Sequence, residues 1–196
     1  MINHLNGSFI EVTPTHAVVE CQGVGYQVFI SLQTYDVIQS WKQGKVLVHQ
    51  IIREDAQQLY GFAQESEREM FRLLLGVSGV GAATARMILS ASSVADLQHT
   101  ILREDVAALK RIKGIGARSA ERIIVDLKDK VGRVVPSELE GSMGAADASV
   151  RQEATLALLA LGFTRAAVEK SLDRVAKESP GNEPVETWIR KALNYL

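Results

Sequence analysis

Apolar and polar positions alternate along the first third of the chain in a pattern typical of β-strands. Short runs rich in Val, Ile and aromatic residues are separated by Gly and Pro turns throughout residues 1–62. The five runs cover residues 9–12, 17–21, 26–30, 46–52 and 58–62. Five short strands within about 60 residues predict a small closed barrel of the OB type.

After the barrel region the apolar positions recur at helical spacing instead. Ser66 with Glu69 matches a capping box and predicts the start of one helix, and Ser93 with Asp96 predicts the start of another. Residues 136–149 are small, acidic or turn-forming, which is typical of a flexible linker. Beyond them, three further helices are predicted at residues 153–161, 165–177 and 185–195.

These patterns together predict a multidomain α+β protein. We expect an OB-type β-barrel domain over residues 1–63, a helical domain over 64–135, the linker over 136–149 and a three-helix (UBA-like) module over 150–196. A small bundle on a flexible tether is typical of a module that docks onto another protein.

The helical domain contains a 13-residue pattern twice, because residues 77–89 recur 35 positions later as residues 112–124. Each copy reads apolar-x-Gly-apolar-Gly and continues into a helix with small residues on one face. The two glycines favour a tight turn with unusual dihedral angles, and the apolar residue between them is expected to point inward. The helices are expected to begin at about Ala82 and Ala117.

Each of these helix starts is a candidate phosphate site. The first N–H groups of a helix have no partner within it, and the helix dipole places partial positive charge there. Without nearby Cβ atoms a phosphate can approach closely. A single Gly-x-Gly before a helix is most often only a turn, but the matched repeat favours a tandem helix-hairpin-helix domain. Such a domain grips the two strands of a DNA duplex without reading its sequence.

A dinucleotide-binding turn is the other motif that begins in this way. That motif follows a strand and needs a third glycine. Thr84 and Ser119 stand at the position of the third glycine here. We therefore reject it.

Charge distinguishes the two copies of the repeat. The chain has a formal net charge of −1, yet residues 63–135 carry 12 basic and 9 acidic residues. The excess is concentrated on the second copy, which carries Lys113, Arg118 and Arg122. Because cations of this kind strengthen phosphate binding, we expect substitutions in the second copy to weaken DNA binding most. The alternative explanation for Arg118 and Arg122 is an ordinary solvated helix face. The candidate DNA-binding residues are Gly79, Val80, Gly81, Lys113, Gly114, Ile115, Gly116, Arg118 and Arg122.

Several other classes of site have no signature in the sequence. Cys21 is the only cysteine and the four histidines are scattered, which excludes an internal disulfide and gives no metal-ligand spacing. No Gly-x4-Gly-Lys-Ser/Thr loop is present, and we predict no cofactor. The sequence lacks a signal peptide and an apolar run near the roughly 20 residues that span a bilayer, so we expect a cytoplasmic protein.

Two enzyme classes that use hairpins of this kind remain as alternatives: a structure-specific nuclease and a helix-hairpin-helix DNA glycosylase. A nuclease needs carboxylates that converge on a divalent metal, and the adjacent Glu54 and Asp55 would need a third. A glycosylase would need a catalytic acid soon after its hairpin, and Asp126 is the nearby candidate. A third alternative is a nucleic-acid-binding module that tethers some other partner through its C-terminal helices.

Several stretches occur in an order that resembles the RuvA family, the Holliday-junction-binding subunits of bacterial branch-migration complexes. These stretches are Gly-Val-Gly-Tyr at 23–26, residues 53–62, the two Gly-x-Gly turns, Ala-Glu-Arg at 120–122 and Ala-Leu-Gly-Phe at 160–163. The resemblance covers residues 1–196. It implies a homotetramer, sometimes doubled into an octamer, that holds four-way junction DNA open for the hexameric ATPase RuvB and contacts the resolvase RuvC.

The resemblance also implies roles for particular residues. Glu54 and Asp55 would form an acidic pin that repels phosphates at the crossover, whereas the residues alone suggest an ordinary solvated turn. The family pattern places a basic residue after the first hairpin, but Ala82 and Ala83 stand there in this chain. In the third domain the family offers an apolar surface to RuvB, and the candidates for it are Leu156, Leu159, Phe163 and Leu172.

Overall fold

A computed structural model describes residues 1–131, 145–178 and 183–196. The chain divides into two compact units, Met1–Pro136 and Ser137–Leu196. The first unit contains the barrel and the helical repeat, and the second contains the C-terminal helices.

The predicted barrel is confirmed, with five strands in the closed order β1-β2-β3-β5-β4. The strands are β1 His4–Val12, β2 His16–Cys21, β3 Val24–Ile30, β4 Gln43–Ile52 and β5 Gln57–Phe62. Strands β3 and β5 pair in parallel, and the other neighbours pair antiparallel. Alternate side chains of β3, such as Val28 and Ile30, fill the barrel because successive residues of a strand face opposite sides.

A short helix, α1 (Leu32–Ile38), connects β3 to β4 and was not predicted. Its 7 residues make about two turns, which is too short for a helical period to stand out. Ser31 caps it by accepting a hydrogen bond from the N–H of Thr34 at 3.1 Å. Ile38 at its end is fully buried in the barrel core.

The rest of the first unit is helical and has its own apolar core. Its helices are α2 Glu65–Leu75, α3 Ala82–Ala91, α4 Val94–Leu102, α5 Val106–Lys110 and α6 Ala117–Val131. Helices α3 and α6 begin at the predicted alanines, and Ser93 caps α4 by accepting from the N–H of Asp96 at 3.1 Å. The predicted capping box at Ser66 is wrong, because α2 already begins at Glu65 and has no side-chain cap.

The second unit packs three helices around a small core. They are α7 Ala145–Ala160, α8 Arg165–Glu178 and α9 Val185–Leu193. Helix α7 begins inside the range that we assigned to the linker, because its first turn is rich in alanine, the strongest helix former. Residues 136–144 of that linker, and the predicted break at 179–182, lie outside the described residues.

Candidate nucleic-acid interface

The two Gly-x-Gly segments form matching turns. Gly79 and Gly114 have φ angles of 89° and 91°, a left-handed conformation that side chains rarely adopt. Val80 and Ile115 follow these glycines and are each 6% exposed. Each turn is therefore anchored by one apolar side chain, as the pattern predicted.

Both turns lead directly into a helix with open N–H groups. In α3 the first hydrogen bond runs from the N–H of Ala85 to the carbonyl of Gly81 at 2.8 Å. The N–H groups of residues 82–84 have no acceptor among the described residues. Helix α6 begins in the same way, with Ala120 donating to Gly116 at 3.0 Å. Each helix start can therefore hold an anion through backbone groups and the helix dipole.

The space in front of these turns is open. A Cβ added at Gly79, Gly81, Gly114 or Gly116 would meet no atom of the chain within 4 Å. Gly81 also has an ordinary φ of −86°, which any residue adopts. The fold therefore does not require glycine at position 81.

The cations around the turns are distributed differently from what the sequence suggested. Arg122 belongs to the second repeat, but its Nη1 donates to the carbonyl of Ser78 in the first turn at 3.3 Å. Lys113 and Arg118 lie exposed beside the second turn. Arg122 consequently supplies positive charge to the first hairpin, which has none at its own turn.

The outer face of α6 is mixed in charge. A shallow groove of about 340 Å³ lies on it, lined by Arg118, Glu121, Arg122, Val125 and Asp126. The carboxylates of Glu121 and Asp126 reduce the positive potential that the arginines create. Asp126, the candidate acid of the glycosylase alternative, lies in this groove with Arg118 and Arg122.

Arg86, the cation that the first repeat retains, is directed to the barrel. Its Nη1 donates to the carbonyl of Thr15 at 2.8 Å, and its guanidinium carbon lies 5.4 Å from the centre of the Phe29 ring. Both contacts join α3 to the outer surface of the barrel. Arg86 therefore contributes to the position of α3.

The barrel also holds the far end of α3. The N–H of Leu32 donates to Ser90 Oγ at 3.1 Å, and the Gln33 amide donates to the carbonyls of Leu89 and Ser92. These bonds satisfy acceptors at the C-terminal end of the helix. As a result α1 fixes the helix whose opposite end carries the first hairpin.

A buried carboxyl joins the barrel to α2. Glu67 accepts hydrogen bonds from the hydroxyls of Ser31 and Thr34, the latter at 2.6 Å. Burial raises the pKa of the Glu67 carboxyl above its ordinary value, and the two hydroxyl bonds oppose this shift. The next residue, Arg68, is also buried and donates to the carbonyl of Asn3 at 2.9 Å. These contacts hold barrel and hairpin domain together within the first unit.

Glu54 and Asp55 lie at the tip of the β4–β5 turn. The turn is closed by a hydrogen bond from the N–H of Arg53 to the carbonyl of Ala56 at 2.8 Å. Both carboxylates are exposed, and neither forms an ion pair with a described residue. The turn therefore presents two negative charges to solvent.

The apolar residues proposed for partner binding differ in exposure. Leu156 is 50% exposed, and Leu159 and Phe163 are half-buried. Leu172 is fully buried in the core of the second unit, so its assignment to a partner surface is wrong. Leu161, which the spacing did not single out, is 62% exposed.

The described residues contain no group of three or more His, Cys, Asp or Glu side chains that could hold a metal ion. In the same ranges no helix is long and apolar enough to cross a membrane.

An OB-type barrel joined to two glycine turns that each lead into an open helix start defines the architecture of a tandem helix-hairpin-helix nucleic-acid-binding protein. Three families match the chain: RuvA N terminal domain over residues 1–61, SAM-like Helix-hairpin-helix tandem over 71–129 and RuvA, C-terminal domain over 149–196. The chain therefore belongs to the RuvA family.

Relatives from several bacteria match over their whole length. A protein of Bacteroides fragilis named "Holliday junction branch migration complex subunit RuvA" is 46% identical over 202 residues, covering 100% of both chains. Proteins with the same name from Christiangramia forsetii and Porphyromonas gingivalis are 44% and 41% identical, again over 100% of both chains.

Proposed function

We propose that this chain is the non-catalytic subunit that binds four-way (Holliday) junction DNA in branch migration during recombination and DNA repair in the bacterial cytoplasm. The pair of open, glycine-lined helix starts is the observation that carries the proposal. Backbone N–H groups bind phosphates without regard to base sequence, as a protein that follows a moving junction requires. The names of the full-length relatives support the same function.

The acidic turn supplies the second part of the proposed mechanism. Phosphates at the crossover meet the carboxylates of Glu54 and Asp55, and like charges a few ångströms apart repel when they are partly shielded from water. This repulsion favours separated strands at the centre of the junction. The double variant Glu54→Lys with Asp55→Lys should reduce strand opening and leave junction affinity intact or higher.

A matched control separates the pin from a general charge effect. Glu20→Lys also replaces an exposed carboxylate of the barrel, on β2 and away from the β4–β5 turn. Strand opening can be followed by the permanganate reactivity of thymines at the crossover. Equal opening by the wild type and the double variant would contradict the pin mechanism.

We propose that four copies assemble around one junction, with the octamer as a doubled form. Four copies present four acidic turns and eight hairpins, which matches the four arms of the DNA. Light scattering of the full chain with and without junction DNA tests this assembly. A particle with one protein copy per junction would contradict it.

The second unit is proposed to dock onto the hexameric ATPase RuvB, with the resolvase RuvC as a further partner of the complex. Leu156 and Leu161 are exposed apolar side chains that a partner could cover. Leu156→Asp should therefore weaken stimulation of RuvB and leave junction binding unchanged. Weaker junction binding with unchanged stimulation of RuvB would contradict the assignment of partner binding to the second unit.

The absence of catalysis is also part of the proposal. Asp126, the acid that a glycosylase would need, lies in a groove beside Arg118 and Arg122 on α6. Incubation of the chain with labelled junction and Mg²⁺ should leave every strand intact. Any strand cleavage or base release that copurifies with the chain would favour the nuclease or glycosylase alternative.

A further inference from the structure

The two hairpins differ in how they are attached to the barrel. Helix α3, which begins at the first hairpin, forms hydrogen bonds with the barrel and with α1. Helix α6, which begins at the second hairpin, forms its bonds to other elements with Ser78, Gln98 and Glu104, all in the helical domain. Across the described residues none of these bonds reaches the barrel or α1. The first hairpin is therefore the one that hydrogen bonds tie to the barrel.

Arg86 forms the attachment nearer to the hairpin. Its Nη1 donates to the carbonyl of Thr15 at 2.8 Å, and its guanidinium lies over the Phe29 ring. Phe29 pairs with Tyr60 on the neighbouring strand β5, which begins at Gln57 directly after the acidic turn. Because each strand of the closed barrel is bonded to a neighbour on both sides, this contact relates the position of α3 to that of the acidic turn.

Helix α1 forms the second attachment, at the far end of α3. The half-buried Gln33 amide donates to the carbonyls of Leu89 and Ser92, and the N–H of Leu32 donates to Ser90 Oγ at 3.1 Å. Helix α3 has 10 residues and is therefore about 15 Å long. Attachments near both of its ends fix the direction of the helix as well as its position.

We propose that Arg86 and Gln33 are positioning residues that hold the first hairpin at a fixed distance from the acidic turn. The inference rests on the proposed function, in which the hairpin binds a phosphate of one duplex arm and the acidic turn meets the crossover. Repulsion between charges decreases with distance, so Glu54 and Asp55 act on the crossover phosphates only if the arm is held in the right place. The first hairpin therefore sets the register of the arm, and the second supplies most of the positive charge.

This register matters for a junction and not for a linear duplex. A duplex has no crossover, so a loosened α3 can move with the backbone that it binds and lose nothing. On a junction, the hairpin and the acidic turn must meet two parts of the same DNA at once. Loosening α3 should therefore reduce strand opening and the preference for junction, while affinity for duplex stays the same.

The test uses two variants of the full chain, Arg86→Ala and Gln33→Ala, which loosen α3 at different points. Arg103→Ala is the control for the first, because Arg103 is an exposed cation at the end of α4. Gln39→Ala is the control for the second, because the exposed Gln39 amide bonds only the carbonyl of Asp36 at its own end of α1.

We expect each test variant to lower the ratio of junction affinity to duplex affinity by about threefold to tenfold, the effect of losing a partly exposed hydrogen bond. At saturating protein, crossover thymines should be several-fold less reactive to permanganate than in the wild-type complex. Because the junction is fully bound there, this reactivity reports strand opening and not occupancy. Arg86→Lys keeps a charged donor for the Thr15 carbonyl and should restore most of the reactivity.

The outcomes separate this proposal from the proposed function. If the wild type prefers junction and both test variants behave as their controls do, the positioning role is wrong and junction binding stands. A loss confined to Arg86→Ala, with a shallower dependence of affinity on salt, would also overturn it, because Arg86 would then contact a phosphate directly. Weaker binding of junction and duplex alike would overturn it too. If the wild type shows no preference for junction, the proposed function fails and the positioning role fails with it.

Discussion

Replacing Gly81 by alanine should separate DNA binding from folding. Gly81 has φ −86° and ψ 170°, which alanine adopts readily, and the added Cβ would meet no atom of the chain within 4 Å. Alanine restricts the unfolded chain, which stabilises the fold by about 0.4–1 kcal/mol, but it is a poorer residue than glycine before a helix. These effects oppose each other, so we expect the free energy of unfolding to stay within about 1 kcal/mol of the wild type.

If the proposed function is right, the same methyl group would occupy the space in which a phosphate lies. A hydrogen bond between an N–H group and a charged oxygen contributes about 1.5–3 kcal/mol, and Gly81→Ala should remove at least one per protomer. Since about 1.4 kcal/mol corresponds to a factor of ten, junction affinity per hairpin should fall by roughly 10- to 150-fold. Gly116→Ala should have a similar effect, because its surroundings are equally open.

Fluorescence anisotropy with labelled junction at fixed salt measures the affinity, and urea unfolding measures the stability. Gly79→Ala serves as a contrast, since its φ of 89° would strain an alanine by about 1–2 kcal/mol and lower stability as well. A Gly81→Ala protein that folds normally and binds junction as tightly as the wild type would refute the phosphate reasoning.

Two further predictions concern charged residues. Arg122→Ala should reduce the slope of log affinity against log salt by about 0.9 for each phosphate that Arg122 neutralises. The control is Lys170→Ala, which removes an exposed cation of the second unit and should leave the slope unchanged. Equal slopes for the two variants would contradict the role of Arg122. Burial raises the pKa of Glu67 in the folded state, so its ionisation costs stability increasingly as pH rises from the unfolded value through the folded one. Glu67→Gln should therefore gain stability relative to the wild type in urea unfolding as the pH rises above the ordinary pKa of a glutamate, and a difference that stays constant with pH would contradict the raised pKa of Glu67.

The hairpins were predictable because short-range physics determines them. Gly-x-Gly with an apolar residue between the glycines specifies both the turn and its anchor, and the helix starts at Ala82 and Ala117 follow. The barrel was predictable from strands of alternating or continuous apolar residues. Helix α1 was missed because two turns carry too little periodicity.

Long-range contacts explain what the sequence could not reveal. Spacing placed Arg122 in the second repeat, yet packing of α6 brings its side chain to Ser78 in the first. Spacing also treated Leu172 and Leu156 alike, but only the tertiary structure decides that one is buried and the other exposed.

Competition between a four-way junction and a linear duplex of the same arm sequences tests the central claim most directly. The full chain should retain the labelled junction against an excess of duplex, and junction affinity should fall more steeply with salt because more phosphates are neutralised. Equal affinity for the two DNAs, with equal salt dependence, would contradict the account.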